Sequence, residues 1–311
     1  MFRRISSAAG FSYALMVLLV FVWGFEYIAA KNSLEVIKPL TLVFFKYSTA
    51  FLVVFSVKII SNRKFTLKRR DIAFFAVCAL FGDVLYYGGE YSAMDYLPVS
   101  VITIILAFVP ALSIVLEFCI YHRKPSVLIV LGILVSILGV AMVVLSDIRE
   151  LLNGRIIGYL FAFSAVICWN VYNFMTDRLT SKYGAVEITL YQIISAVLIS
   201  APYALSHLPA AADVTPDLIW SLLYVGGISS GVGFLIYVRS INIIGVTPTA
   251  LFSNALPLTT TFFGFLFLHE AITPLQYVGG IVVILSGSMV ILLKSKHDAK
   301  NSISLPDAKG D

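Results

Sequence analysis

The stretch "VFVWGFEYIAAK", residues 20–31, sets a carboxylate, Glu26, inside a run of almost wholly apolar side chains. Which solvent surrounds that carboxylate decides the fold. The chain of 311 residues is 59% hydrophobic and only 13% charged, with a mean hydropathy of +0.95; a soluble domain is about 25% charged. Outward from Glu26, apolar runs of about 20 residues, each able to cross a ~30 Å hydrocarbon layer as a helix, recur with short polar breaks. They lie near 12–31, 39–58, 72–92, 98–120, 126–146, 156–176, 186–205, 218–238, 247–268 and 274–293. The pattern predicts an all-α polytopic membrane protein with ten transmembrane helices.

The first run follows Arg3 and Arg4 like a signal peptide, but it is longer than a signal core and holds Trp23 and Glu26, so it reads as a span. Cys78, Cys119 and Cys168 fall inside spans without metal-ligand spacing, as small buried apolar residues do. His122, His207, His269 and His297 fall at loops or tails and form no metal cluster. No metal and no cofactor is expected. Nor is a nucleophile, base and oxyanion set or an ATP-binding domain visible, so the expectation is a secondary transporter and not an enzyme.

Lysine and arginine alternate between successive loops. With the N-terminus assigned to the cytoplasm, 17 of the 22 fall in cytoplasmic tails and loops, and "NRKFTLKRRD" at 62–71 is the densest block. By the positive-inside rule both termini are then cytoplasmic. This distribution accounts for the net charge of +5 without invoking nucleic acid. The partners expected are a small-molecule substrate, membrane lipids and protons, with the chain itself a monomer.

The chain also repeats itself. In "YALMVLLVFVWG" (13–24) and "YLFAFSAVICWN" (159–170), Tyr13 falls on Tyr159 and Trp23 on Trp169 at one offset. Pro110 precedes His122 by the interval at which Pro257 precedes His269, and Gly132 and Gly139 are spaced like Gly280 and Gly287. The halves, 1–150 and 151–311, read as two copies of a five-span unit. An odd number of spans makes the second copy enter the membrane from the opposite face, which gives two inverted five-helix repeats.

In "WGFEYIAAK", "FKYSTA", "AFVPALSIVLEF" and "NALPLTTTFFGFLFLHEAITPLQYVGGIVVILSGSMVI" the sequence resembles the EamA-type transporters of the drug/metabolite transporter superfamily. The last stretch follows that family's pattern at Pro257, Glu270, Thr273, Gln276, Gly280 and Gly287. Arg123 stands where the family usually has Glu, and Lys46 where it commonly has Arg. The resemblance implies a bacterial or archaeal cytoplasmic membrane, a substrate cavity between the repeats, and movement of metabolites or amphipathic compounds, often export, by alternating access.

Span 1 runs outward and places Glu26 roughly 7–8 Å below its outer end; span 2 runs inward and places Lys46 roughly 10 Å below the same surface. The matching depths predict a facing ion pair, since an isolated charge there costs ~3 kcal/mol or more. The pair serves either as a bare helix clamp or as part of the transport pathway. On span 3, Asp83, Tyr86, Tyr87 and Glu90 follow i, i+3, i+4, i+7 and share one helical face. Asp83 is the deepest acid and the first candidate for proton coupling. The second half offers Trp169, Asn170 and Asn173 on span 6, Tyr191 and Gln192 on span 7, with Gln192 falling where Lys46 falls, and Asn254 on span 9. These complete the candidate substrate-binding set; each amide is alternatively an interhelical hydrogen bond. Pro110 and Pro257, near the middles of spans 4 and 9, are candidate gating kinks or static bends. Glycine-rich "YVGGISSGVGF" (224–234) lies within span 8 and suits close helix contact.

The function expected is therefore secondary transport, in the export direction, of a small metabolite, an amino acid or a related cationic or zwitterionic amphipathic solute; the alternatives are a membrane-embedded lipid-modifying enzyme and a lipid or lysolipid translocator. Reporter fusions after residue 64 and at the C-terminus are expected to report the cytoplasm at both positions. A signal from the opposite side at either contradicts the ten-span arrangement.

Overall fold

The computed structural model describes residues 2–60, 66–121, 125–146, 155–244, 252 and 254–303. Arg63, Lys64, His122, Arg123 and the first part of the ninth predicted span lie outside them. All regular structure among the described residues is helical. In chain order, α1 is Phe2–Leu34 and α2 is Pro39–Ile60. Helix α3 runs through Ile72–Ala79, a π-helical Leu80–Leu85 and Tyr86–Ala93. Helix α4 comprises Val99–Leu106 and Val109–Tyr121, and α5 is Val127–Leu145. In the second half α6 is Ile156–Thr180 and α7 is Ala185–Ser206. Helix α8 runs through Pro216–Leu222, a π-helical Leu223–Val232 and Gly233–Ile244, followed by α9, Leu256–Leu268, and α10, Pro274–Ile303. Eight of the ten are long and apolar enough to cross a membrane; the described parts of α5 and α9 are shorter apolar helices.

The packing obeys an exchange of the halves. Helix α2 packs on α7 and α5 on α10, each on its own counterpart. Helix α1 packs on α8 as α6 packs on α3, α1 on α9 as α6 on α4, and α2 on α8 as α7 on α3. This is the contact set that a two-fold relation between inverted five-helix units requires. The π segments fall at matching places, in α3 and α8, and the wider turn interrupts the helical ladder where polar residues lie.

Glycine sets the closest approaches, because lipid gives helices little reason to associate beyond packing itself. A Cβ at Gly226 would lie 2.5 Å from the Lys46 carbonyl oxygen, and one at Gly231 would lie 2.8 Å from Val53 Cβ, so α8 presses on the α2 backbone. A Cβ on Gly139 would meet the Gly279 carbonyl at 3.0 Å, and one on Gly279 the Gly139 carbonyl at 2.7 Å, which fixes the α5–α10 seam.

The residues of the family pattern have structural work at one end of the bundle. Glu270 accepts hydrogen bonds from the Val99 and Ser100 amides (2.8 and 3.3 Å) and from the Ser100 hydroxyl (3.0 Å), satisfying amides that the first turn of α4 leaves free. Thr273 and Gln276 form a reciprocal capping box at the start of α10. His269, with φ of 53°, ends α9 in the left-handed region. Pro110 and Pro257 each sit in the first turn of a helical segment, where proline lacks only an amide that the helix does not use.

Gly226→Ala is expected to lower the melting temperature of the purified protein, since the backbone of α2 has to retreat. Gly10→Ala, where a Cβ meets nothing within 4 Å, is expected to be neutral or stabilising by about 0.5–1 kcal/mol. Equal melting of the Gly226→Ala and unaltered proteins contradicts the close α2–α8 contact.

Candidate functional site

Glu26 and Lys46 form an ion pair between α1 and α2, and both are buried, Lys46 completely. Burying two charges costs several kcal/mol per ion unless the pairing is good and the remaining donors and acceptors are met. Here they are met. Lys46 Nζ also donates to the Tyr91 hydroxyl at 3.1 Å and lies 3.6 Å above the centre of the Tyr87 ring. Tyr91 donates to Glu26 Oε1 at 3.3 Å, and the Ser229 hydroxyl donates to Glu26 Oε2. Ser229 belongs to the π segment of α8, and its carbonyl accepts from Trp23 Nε1 at 3.2 Å, so one residue holds α1 twice. Trp23 also packs against the rings of Phe234 and Tyr237.

The polar face of α3 meets this cluster. Tyr87 lies under Lys46, and Glu90 Oε1 accepts from Tyr27 of α1 and from Tyr86 at 3.4 Å. Asp83, in the π segment, accepts from the Tyr47 hydroxyl at 2.7 Å through Oδ1, whereas its buried Oδ2 has no partner. Tyr86 turns to α6 and packs on Trp169 with ring centres 4.7 Å apart; Trp169 stacks on Tyr172 at 5.0 Å. The Tyr172 ring lies over Gly82, where no side chain could fit.

The offset of 146 residues that carries Trp23 onto Trp169 and Lys46 onto Gln192 also carries Glu26 onto Tyr172 and Ser229 onto Asp83. The structure makes the counterpart contact: the Tyr172 hydroxyl donates to Gln192 Oε1 at 3.1 Å, as Lys46 joins Glu26, and Gln192 Nε2 donates to Thr176 at 3.0 Å. Thus Glu26, Lys46 and Ser229 have as equivalents Tyr172, Gln192 and Asp83. Ser229, Tyr27, Tyr47, Tyr91 and Tyr172 were not singled out from the sequence, although the repeat offset itself points to Ser229 and Tyr172.

The remaining candidates are dispersed. Asn170 is buried and donates to the Val166 carbonyl of its own helix, while Asn173 is exposed on α6. Tyr191 lies in another cluster, against Phe75 and Tyr183, and its hydroxyl accepts from the Thr66 amide. That cluster adjoins ionic contacts of Lys58 with Glu187 (2.9 Å) and of Lys182 with Asp71 (3.1 Å). Asn254 joins α9 to α10 by donating to the Ile284 carbonyl and the Ser288 hydroxyl. Pro257 is buried and Pro110 half-buried, away from the charged cluster's contacts.

Removing one partner of the ion pair leaves a buried uncompensated charge. Glu26→Gln and Lys46→Met are each expected to cost about 3–5 kcal/mol or its equivalent in folded yield. The double variant is expected to cost less than the sum. Strict additivity in thermal unfolding would show that the two groups are not coupled.

The sequence matches the EamA-like transporter family over residues 10–145 and 156–293. It is 23% identical to a Bacillus subtilis protein called "Uncharacterized transporter YvbV", with 94% of each chain covered. It is 18% identical to the "Uncharacterized transporter YoaV" of the same organism, over 86% of this chain and 92% of that one. A "Probable terminal-alkyne amino-acid exporter" of Streptantibioticus cattleyicolor is 24% identical over 72% of this chain and 74% of its own. One solved crystal structure shares the fold with a TM-score of 0.65 at 16% identity, over 92% of this chain and 98% of that chain. A match that takes in both five-helix halves settles the affiliation: the chain belongs to the EamA-like transporter family.

Proposed function

We propose that this protein is a secondary transporter that exports a small cationic or zwitterionic amphipathic metabolite, an amino acid or a relative of one, across the cytoplasmic membrane by alternating access. Both termini are cytoplasmic in this reading, and the halves 1–150 and 151–311 are the two moving units. Family membership supports transport, and the relative called an amino-acid exporter supports the solute class and direction. The candidate pathway is the face of α3 shared with α1, α2 and α6, where charges and aromatic rings lie together inside the apolar bundle.

One observation carries the coupling assignment. Asp83 is 6% exposed, held through Oδ1 by Tyr47, and left with a buried Oδ2 that no group satisfies. An unmet buried acceptor costs about 1–3 kcal/mol, so a static structure has every reason to lose it. A transporter has reason to keep it, because a proton can occupy that oxygen in one state and leave it in another. Tyr47 of α2 donates to Asp83, and Tyr172 of α6, Cys78 on its own helix and Lys46 of α2 interact with it electrostatically.

The test takes a solute found by thermal-shift screening and measures its flux in proteoliposomes. Asp83→Asn is expected to abolish flux driven by a pH gradient. Gradient-driven flux at the unaltered rate in this variant would remove Asp83 from the coupling step.

A further inference from the structure

We propose that the α3–α6 seam binds the ammonium group of an apolar or aromatic amine that carries no carboxylate, seated against Asp83 and the Trp169–Tyr172 stack. This narrows the solute of the proposed function from an amino acid to a carboxylate-free relative of one, and rests on that reading for transport, though not for binding.

The comparison of the two halves shows what is missing. In the first half the acid Glu26 has an ammonium beside it, supplied by position 46. In the counterpart cluster the acid is Asp83 of α3, at the position equivalent to Ser229, and the position equivalent to Lys46 holds Gln192, a neutral amide engaged with Tyr172 and Thr176. One cluster is complete in charge and the other is one cation short.

The unmet atoms name the chemistry of the missing group. Asp83 Oδ2 is a buried acceptor without a partner. Glu90 is 2% exposed, and both of its hydrogen bonds, from Tyr27 and Tyr86, end on Oε1; among the described residues it has no ion-pair partner. Two acids lacking a cation call for a positively charged donor, and an ammonium offers three N–H groups and no acceptor. The rings between them add to the fit. Tyr86, Trp169 and Tyr172 are half-buried and packed in series, and a ring face attracts a cation within about 6 Å of its centre.

The same arrangement argues against a carboxylate on the solute. Lys46 is the cation of this cluster, and its ammonium is already engaged by Glu26, by the Tyr91 hydroxyl and by the Tyr87 ring. An arriving carboxylate would find no free cation among the described residues of this cluster and would face Asp83 and Glu90. Like charges brought together in a dry site cost several kcal/mol.

Calorimetric titration of the purified full chain with phenethylamine, phenylalanine and 3-phenylpropionate tests this. The three share a ring and differ in charge. Phenethylamine is expected to bind at least about tenfold more tightly than either of the others, and Trp169→Ala to weaken it by about tenfold. Gln192→Lys installs the ammonium that the first half already has, and is expected to abolish phenethylamine binding in a protein that elutes and melts as a folded species. Should that variant fail to fold, the isosteric Asp83→Asn decides, with loss of phenethylamine binding expected. Phenylalanine or 3-phenylpropionate binding as tightly as the amine overturns the proposal, as does wild-type amine affinity in folded Gln192→Lys or Asp83→Asn protein. An amine that binds as described yet never crosses proteoliposomes overturns the transport reading and leaves the binding site standing; zwitterion flux without amine binding does the reverse.

Discussion

The buried pairing of Glu26 with Lys46 is the constraint on which the rest of the arrangement depends. Two ions cannot sit among apolar helices unless their remaining hydrogen-bonding capacity is met, and meeting it recruits two elements beyond α1 and α2. Tyr87 and Tyr91 bring α3. Ser229 brings α8, and it can do so because Gly226 and Gly231 let α8 approach the α2 backbone to a distance that any side chain would forbid. The glycine-rich stretch of span 8 and the lone acid of span 1 are therefore one design feature read at two places in the chain.

The repeat shows how far chemistry can diverge on an equivalent backbone. The π segments of α3 and α8, the prolines in the first turns of the second segment of α4 and of α9, and the tryptophans that pack α1 on α8 and α6 on α3 keep their places in both halves. The polar triads do not keep their composition. Glu26, Lys46 and Ser229 balance one another, whereas Tyr172, Gln192 and Asp83 leave an acid unbalanced. Packing constrains the backbone through close contacts on both copies, and it leaves the charge of these triads free to differ.

What could be read in the sequence follows from the same division. Ten apolar runs and an odd-numbered repeat suffice for the architecture, since hydrocarbon permits little besides helices. The depth match of Glu26 and Lys46 was legible because two nearby spans joined by a short turn have a known vertical register. The i, i+3, i+4, i+7 rule placed Asp83, Tyr86, Tyr87 and Glu90 on one face, but not the turn of Tyr86 toward α6, which depends on the π segment before it. Tyr191 and Asn254 illustrate the limit. Each is a polar residue on an apolar helix, and composition alone cannot say whether it looks toward the Glu26 cluster, toward the loop at Thr66, or toward a neighbouring helix such as α10. Glu270 is the opposite case: a residue marked by the family pattern whose contacts prove to be the amides at the start of α4.

The energetics also say where such a bundle can move. Separating α1 from α2 would strip a buried ion pair of its partner, at about 3–5 kcal/mol, and would free the Ser229 and Tyr91 hydroxyls as well. Sliding α6 along α3 exchanges one aromatic contact for another, each worth about 0.5–1.5 kcal/mol beyond its area, while Tyr172 moves over Gly82 without a side chain in its way. The cheaper surface is the one that borders the unsatisfied acid. The charged contacts that α3 makes with α1 and α2 thus cost more to break than its aromatic contacts with α6.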